Sequence, residues 1–190
     1  MPVFGAESGV AIVAARVRDF RSLANIEVEL GDLTVLIGAN NAGKTSFLDA
    51  LFAAIGAGWK SLGVDDIRLA PGESSAPKTR AVIIDVMIRP VGSGGEVLGA
   101  YPEGSFWTNL WGTTGIATDD AQNEFTGIRT TLRWNPARGE HVIERRFLKE
   151  WREFADWISA ATQDRPVTAS HLDPLALHYV DAKRDLEEDL

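Results

Sequence analysis

Leu33-Thr-Val-Leu-Ile-Gly-Ala-Asn-Asn-Ala-Gly-Lys-Thr-Ser-Phe-Leu-Asp-Ala-Leu51 is the stretch whose reading decides the fold. An apolar run breaks into a glycine-bounded loop and then into a second apolar-periodic run, which reads as strand, phosphate loop and helix. Gly38 to Thr45 fits Gly-x-x-x-x-Gly-Lys-Ser/Thr without a mismatch, and the pattern carries weight because strand and helix flank it. Glycines let successive backbone N–H groups turn into one concavity, and the helix N-terminus adds partial positive charge, so fixed dipoles hold a polyphosphate. The reading assigns Gly38, Ala39, Asn40, Asn41, Ala42, Gly43, Lys44, Thr45 and Ser46 to ATP. Lys44 reaches the β- and γ-phosphates as the catalytic cation, and the Thr45 hydroxyl sits on Mg²⁺.

Working outward, Leu33 to Ile37 lacks polar alternation and is expected to be the central strand of an α/β sheet, buried on both faces. Ahead of it, Ala11 to Phe20 and Ile26 to Leu30 predict an edge hairpin beside that strand, with Ile26, Val28 and Leu30 alternating with Glu27 and Glu29. Behind the loop, Leu48, Leu51, Phe52 and Ile55 give a helix one apolar stripe, and Gly56 and Gly58 stop it. Lys60 to Lys78 reads as a surface loop with a turn at Asp65-Asp66. Thr79 to Arg89 predicts a strand half exposed to water and closed by Pro90. Val91 to Glu124 has no clear period. Phe125 to Trp134 and Glu140 to Leu148 predict a hairpin around Asn135-Pro-Ala-Arg-Gly139. Lys149 to Ala161 reads as a helix carrying Trp151, Phe154, Trp157 and Ile158 on one face, so the tryptophans read as core rather than as a base-stacking platform. Leu175 to Val180 reads as a short buried strand before a helix start.

With 190 residues and 45% hydrophobic content the chain is long enough for one domain with a core. No apolar run approaches membrane-spanning length and no leader opens it, so the expectation is a soluble, cytoplasmic protein without a membrane partner. There is no cysteine, which excludes disulfides and thiolate metal sites, and the three histidines lack ligand spacing. A formal charge of −8 argues against this segment as the main landing surface for nucleic acid.

Two motifs are nearly present. Ala81-Val-Ile-Ile-Asp85 has the wording of the acidic strand that serves a phosphate loop, but Asp85 lies mid-strand and is followed by Val86 rather than Glu. Gly92-Ser-Gly-Gly-Glu96 has the wording of a nucleotide-gripping signature, but it follows a proline and does not open a helix, so a hairpin loop fits better.

Together these stretches resemble the start of the SMC-like and RecF-like ABC ATPases, and among them the OLD (overcoming lysogenization defect) family of ATP-dependent endonucleases. Val17-Arg-Asp-Phe-Arg-Ser22, the phosphate loop with its helix, and more loosely His178-Tyr-Val-Asp-Ala-Lys-Arg-Asp185 carry the resemblance. It implies an α/β P-loop NTPase core with an antiparallel β lobe, and a chain that is the N-terminal part of an ABC-type ATPase domain. Residues 1–60 would supply the hairpin, phosphate loop and first helix, residues 79–148 the antiparallel lobe, and residues 149–190 the approach to a helical lobe. It also implies ATP hydrolysis by a full-length homodimer or larger oligomer, control of an effector domain outside this chain, and DNA contacts made elsewhere. A nucleotide-controlled dimerisation module and a P-loop kinase for a small substrate are the alternatives. On the match alone, Arg21 and Ser22 are expected to approach the nucleotide; a solvated turn is the competing reading. Asp181, at the strand-to-lobe junction, is expected to sense the γ-phosphate with help from Arg184; an ordinary helix N-cap is the competing reading of Asp181.

Overall fold

The structure is a computed structural model that describes residues 9–56, 62–175 and 177–178. Its elements are β1 (Gly9–Phe20), β2 (Leu23–Glu29), α1 (Lys44–Ile55), β3 (Val82–Val91), α2 (Phe106–Gly115), β4 (Ala117–Thr118), β5 (Glu124–Asn135), β6 (Glu140–Leu148), β7 (Thr162–Pro166) and α3 (Ala169–Leu172). The strands form one seven-stranded antiparallel sheet in the order β2-β1-β3-β5-β6-β7, with β4 paired to β5. The α/β class and the antiparallel character are as expected.

Period-two alternation gives the sheet two different faces. Ala15 and Val17 of β1 and Ile84, Val86 and Ile88 of β3 share one core with Phe47, Ala50, Leu51, Ala54 and Ile55 of α1. Each large side chain buried there contributes about 1.5–3 kcal/mol relative to exposure. The end of α1 is tied down as well. Gly56 N–H closes the last turn on the Phe52 carbonyl at 2.8 Å. The Arg145 guanidinium donates to the Ala54 and Ala53 carbonyls at 3.1 and 2.9 Å, a cation placed where the helix dipole favours one. Burial holds the Arg145 pKa below the ordinary arginine value.

On the opposite face of the sheet Asp85 and Arg129 face each other across β3 and β5. Arg129 Nε and Nη2 donate to the two Asp85 carboxylate oxygens at 2.8 and 2.7 Å. Its remaining donors reach the carbonyls of Trp157, Ile158 and Ala160. Asp85 is 1% exposed, so the expectation of a half-wet strand is corrected: β3 lies inside the sheet, covered on both faces.

The largest correction concerns Leu33 to Ile37. The β2 ladder ends where Leu30 N–H reaches the Val13 carbonyl at 2.8 Å, and the chain then leaves the sheet. Among the described residues no strand pairs with 33–37. Leu33, Val35 and Ile37 are 86%, 68% and 91% exposed, while Leu36 packs against the core. β1 therefore lies beside β3, not beside the segment leading into the phosphate loop. A central strand needs neighbours on both edges, and the described residues place none there.

Three local expectations also change. Leu48 is 43% exposed rather than part of the buried stripe. Pro90 does not close β3, which runs on to Val91 in register with Gly9 and Val10 of β1, while the β5 ladder has already ended at Ile88 and Thr126. Lys149 to Ala161 is not a helix: Arg129 draws on the carbonyls of Trp157, Ile158 and Ala160, and only a short 3₁₀ turn, Trp157–Ser159, forms. Its tryptophans still pack inward, Trp157 at 1% exposure and Trp151 against the Arg16 guanidinium at 4.1 Å. Within 91–124, α2 emerges behind the N-cap Ser105, whose side chain accepts from Thr108 N–H. The hairpin loop at Gly92 to Glu96 is present, closed by Gly92 N–H to the Glu96 carbonyl at 2.9 Å. The described part of 175–180 forms no strand, and Asp181 and Arg184 lie outside the described residues.

Candidate functional site

α1 begins at Lys44 directly behind Gly43, which occupies the left-handed region at φ 91°. A side chain there would be strained by that backbone, and its Cβ would stand 2.6 Å from the Leu23 side chain, so glycine is what lets the loop seat against β2. Asn41 takes a second left-handed position at φ 70°, a conformation asparagine tolerates better than most residues. Ala42 N–H turns back onto the Ala39 carbonyl at 3.1 Å. The resulting loop carries Lys44 Nζ on its own backbone, donating to the Gly38 and Ala39 carbonyls at 2.7 and 2.8 Å.

Beside it lies a cleft of about 660 Å³ lined by Arg21, Ser22, Asn40, Asn41, Gly43, Lys44, Thr45 and Ser46. The fold thus brings the two ends of the expected site together, the turn between β1 and β2 and the start of α1. Gly38, Ala39 and Ala42 shape the loop without lining the cleft. The first-turn N–H groups of α1 have no carbonyl one turn earlier to donate to, and the helix dipole puts partial positive charge at that end. Among the described residues the lining holds two cationic side chains and no carboxylate. That donor set suits an anion with several oxygens, and the Thr45 hydroxyl supplies a neutral oxygen of the kind Mg²⁺ accepts beside phosphates.

Asp85 belongs to the opposite face of the sheet and is consumed by Arg129. Burial pushes its carboxyl upward, against the pull of that arginine. It does not serve the cleft.

With this geometry in place, known proteins can be set beside it. Residues 12–88 match the AAA ATPase domain family. The match runs from β1 through the phosphate loop into β3, so it spans every residue lining the cleft. An OLD nuclease from Thermus scotoductus (strain ATCC 700910 / SA-01) is 35% identical over 91 residues, 48% of this chain and 15% of that relative. The matched stretch is similar to an OLD nuclease, as its motifs implied. A structure described as the recombination mediator protein RecF-ATP in the RecFOR pathway aligns over 73% of this chain and 28% of that one, with TM-score 0.39 and 13% identity. No helix among the described residues is long and apolar enough to cross a membrane.

Two carboxylates at the site were not singled out in the sequence. Asp49 and Asp66 hold Arg21: its Nε donates to Asp66 Oδ1 at 2.8 Å and its Nη1 to Asp49 Oδ2. Burial lowers the Arg21 pKa, but the hydrogen bonds and charges of Asp66 and Asp49 outweigh it, and the guanidinium stands above its ordinary value. Asp49 had left a trace: it is the one acid in the otherwise apolar run Phe47-Leu-Asp-Ala-Leu-Phe-Ala-Ala-Ile55. Asp66 lies in the turn expected at Asp65-Asp66, now a 3₁₀ turn at Val64–Asp66. Its partner, by contrast, was not legible.

Proposed function

We propose that Gly38 to Ser46 bind the triphosphate of ATP together with Mg²⁺, and that this chain is the nucleotide-binding part of an OLD-like ATPase. One observation carries the reading: Lys44 Nζ is held by its own loop beside the open first turn of a helix, on a cleft whose described lining has no carboxylate. In this reading the N–H groups of Gly43 to Ser46 take phosphate oxygens. Lys44 exchanges its two carbonyl acceptors for the β- and γ-phosphates, and the Thr45 hydroxyl faces the metal. The Thr45 hydroxyl would hold Mg²⁺, and the metal would supply charge neutralisation at the phosphates. Ser22 lies at the rim, its hydroxyl donating to Ser46 Oγ at 3.2 Å.

The isolated chain is proposed to bind rather than turn over ATP. Hydrolysis needs a group that orients water and an acidic partner for the metal, and neither is among the described residues lining the cleft. Those groups, the effector and any DNA contact are proposed to come from outside this chain, with an ATP-dependent endonuclease as the whole and a homodimer as its working state. A cytoplasmic location fits that role.

Calorimetric titration with Mg-ATP tests this. Lys44→Ala is expected to remove binding while leaving the unfolding midpoint in place, because Lys44 contacts the loop rather than the core. Equal affinity of variant and parent would overturn the reading.

A further inference from the structure

The turn joining β1 to β2 is bound to the phosphate loop and to a third segment by a set of contacts that the nucleotide reading does not use. We propose that Arg21, with Asp49 and Asp66, is a latch that positions the phosphate loop, so that Arg21 acts as a positioning residue rather than a nucleotide ligand. This rests on the reading of Gly38 to Ser46 as the nucleotide site.

Arg21 has five N–H donors in a planar fork. Nε is taken by Asp66 and Nη1 by Asp49, and the guanidinium carbon lies 5.0 Å from the Phe20 ring centroid. Its backbone is committed too, with Arg21 N–H on the Asp66 carbonyl at 2.8 Å. Arg21 sits at φ 47° and Asp19 at φ 53°, left-handed values that non-glycine residues hold only when their surroundings impose them. Arg68 N–H on the Asp19 carbonyl, at 2.8 Å, fastens the other side of the turn.

Each carboxylate leads to a different segment. Asp49 lies on α1 one turn beyond Thr45, so fixing it fixes the rotation of the helix and the direction of its first N–H groups, about 6 Å away along the axis. Asp49 is 4% exposed, and a carboxylate so buried needs a cation to be tolerated. Asp66 closes its own turn by accepting from Gly63 N–H at 2.9 Å, and the adjoining Ile67 bridges to Phe20. The latch therefore joins the β1–β2 turn, the phosphate-loop helix and residues 63–68. The Ser22–Ser46 hydrogen bond and the packing of Gly43 against Leu23 complete the seat.

Charge separates the latch from direct ligation. Were Arg21 a phosphate ligand, Asp49 and Asp66 would compete with the phosphates for it, and neutralising either would free the guanidinium and remove a negative charge near an anion. Affinity would then rise. The latch predicts the opposite sign, because the loop loses its seat.

The experiment is calorimetric titration of the purified chain and its D49N, D66N, R21A, R21A/D49N and R21K variants with Mg-ATP, with hydrogen exchange of the Phe47–Leu51 amides on the same samples. D49N is expected to weaken Mg-ATP about tenfold, the scale of one charge-assisted hydrogen bond. Exchange at Phe47–Leu51, the first amides of α1 bonded one turn back, should quicken while β3 amides keep their protection, which a general loss of stability would not produce. D49N should cost little more in the R21A background, since the bond is already gone. R21K, a point charge rather than a fork, should fall between the parent and R21A. D66N, at the more exposed end, carries the test if D49N does not fold. D49N or D66N binding as tightly as the parent or tighter, with R21A weakened, would overturn the latch and make Arg21 a ligand. If the parent does not bind Mg-ATP, the nucleotide reading falls by itself, and exchange at Phe47–Leu51 in D49N still decides the latch: unchanged rates would overturn it.

Discussion

Leu33 to Ile37 and Ile84 to Ile88 are both short apolar runs rich in β-branched residues, and the molecule treats them in opposite ways. The first has no charged residue, the second carries Asp85, yet the first is exposed and the second is buried. Burial of a strand follows from its neighbours rather than from its own composition. Ile84 to Ile88 lies between β1 and β5, under α1 on one face and against the 149–161 segment on the other. That enclosure has room even for an acid, because Arg129 satisfies both its oxygens. Leu33 to Ile37 has no pairing partner among the described residues, so its side chains meet water however apolar they are.

The sharpest way to break this comparison is Asp85→Ala. It would leave Arg129 charged, buried and without its partner, at an expected cost of about 3–5 kcal/mol in urea unfolding. Replacing both, Asp85→Leu with Arg129→Met, is expected to restore most of that loss, because a buried pair contributes little beyond a well-packed apolar substitute. A site role for Asp85 predicts instead that Mg-ATP affinity falls while stability does not.

Next in size is a matched pair of truncations. Ile84→Ala should destabilise by about 2–5 kcal/mol through transfer and cavity terms, whereas Ile37→Ala should stay within about 0.5 kcal/mol as an exposed substitution does. Equal losses would mean that Leu33 to Ile37 is buried in solution.

Hydrogen exchange on the parent chain reads the same contrast without mutation. Amides of 84–88 should exchange only on global unfolding, while those of 33–37 should exchange at the fast end of the range. The smallest effect is expected from Val35→Lys, which should leave the unfolding midpoint unchanged and reduce concentration-dependent self-association, since an unpaired apolar edge is a template for pairing. Light scattering across a dilution series checks it.

How much was legible in the sequence depended on how far apart the interacting residues lie. The hairpin at Asn135 to Gly139 and the loop at Gly92 to Glu96 were readable because their turn residues are adjacent. α2 escaped notice because Gly112, at φ 61°, interrupts it and its threonines and glycines favour helix weakly, leaving Ser105 as the main local signal. The 149–161 helix was misread because aromatic spacing of three and four residues also fits an irregular segment whose carbonyls another side chain recruits.

The sequence by itself determined the glycine-bounded loop at Gly38 to Gly43, the helix behind it and the antiparallel character of the sheet. A loop of contiguous residues is specified by local backbone preferences, here glycine and asparagine in left-handed conformations, and strand alternation is a property of neighbours in the chain. Only the tertiary structure decided which apolar run became central, that Asp85 neutralises Arg129 and not a metal, and that Arg21 meets Asp49 and Asp66. Those partners lie 44, 28 and 45 positions apart. Over such separations no local preference selects a partner; the choice is made by whichever packing buries the most apolar surface while leaving every buried charge paired.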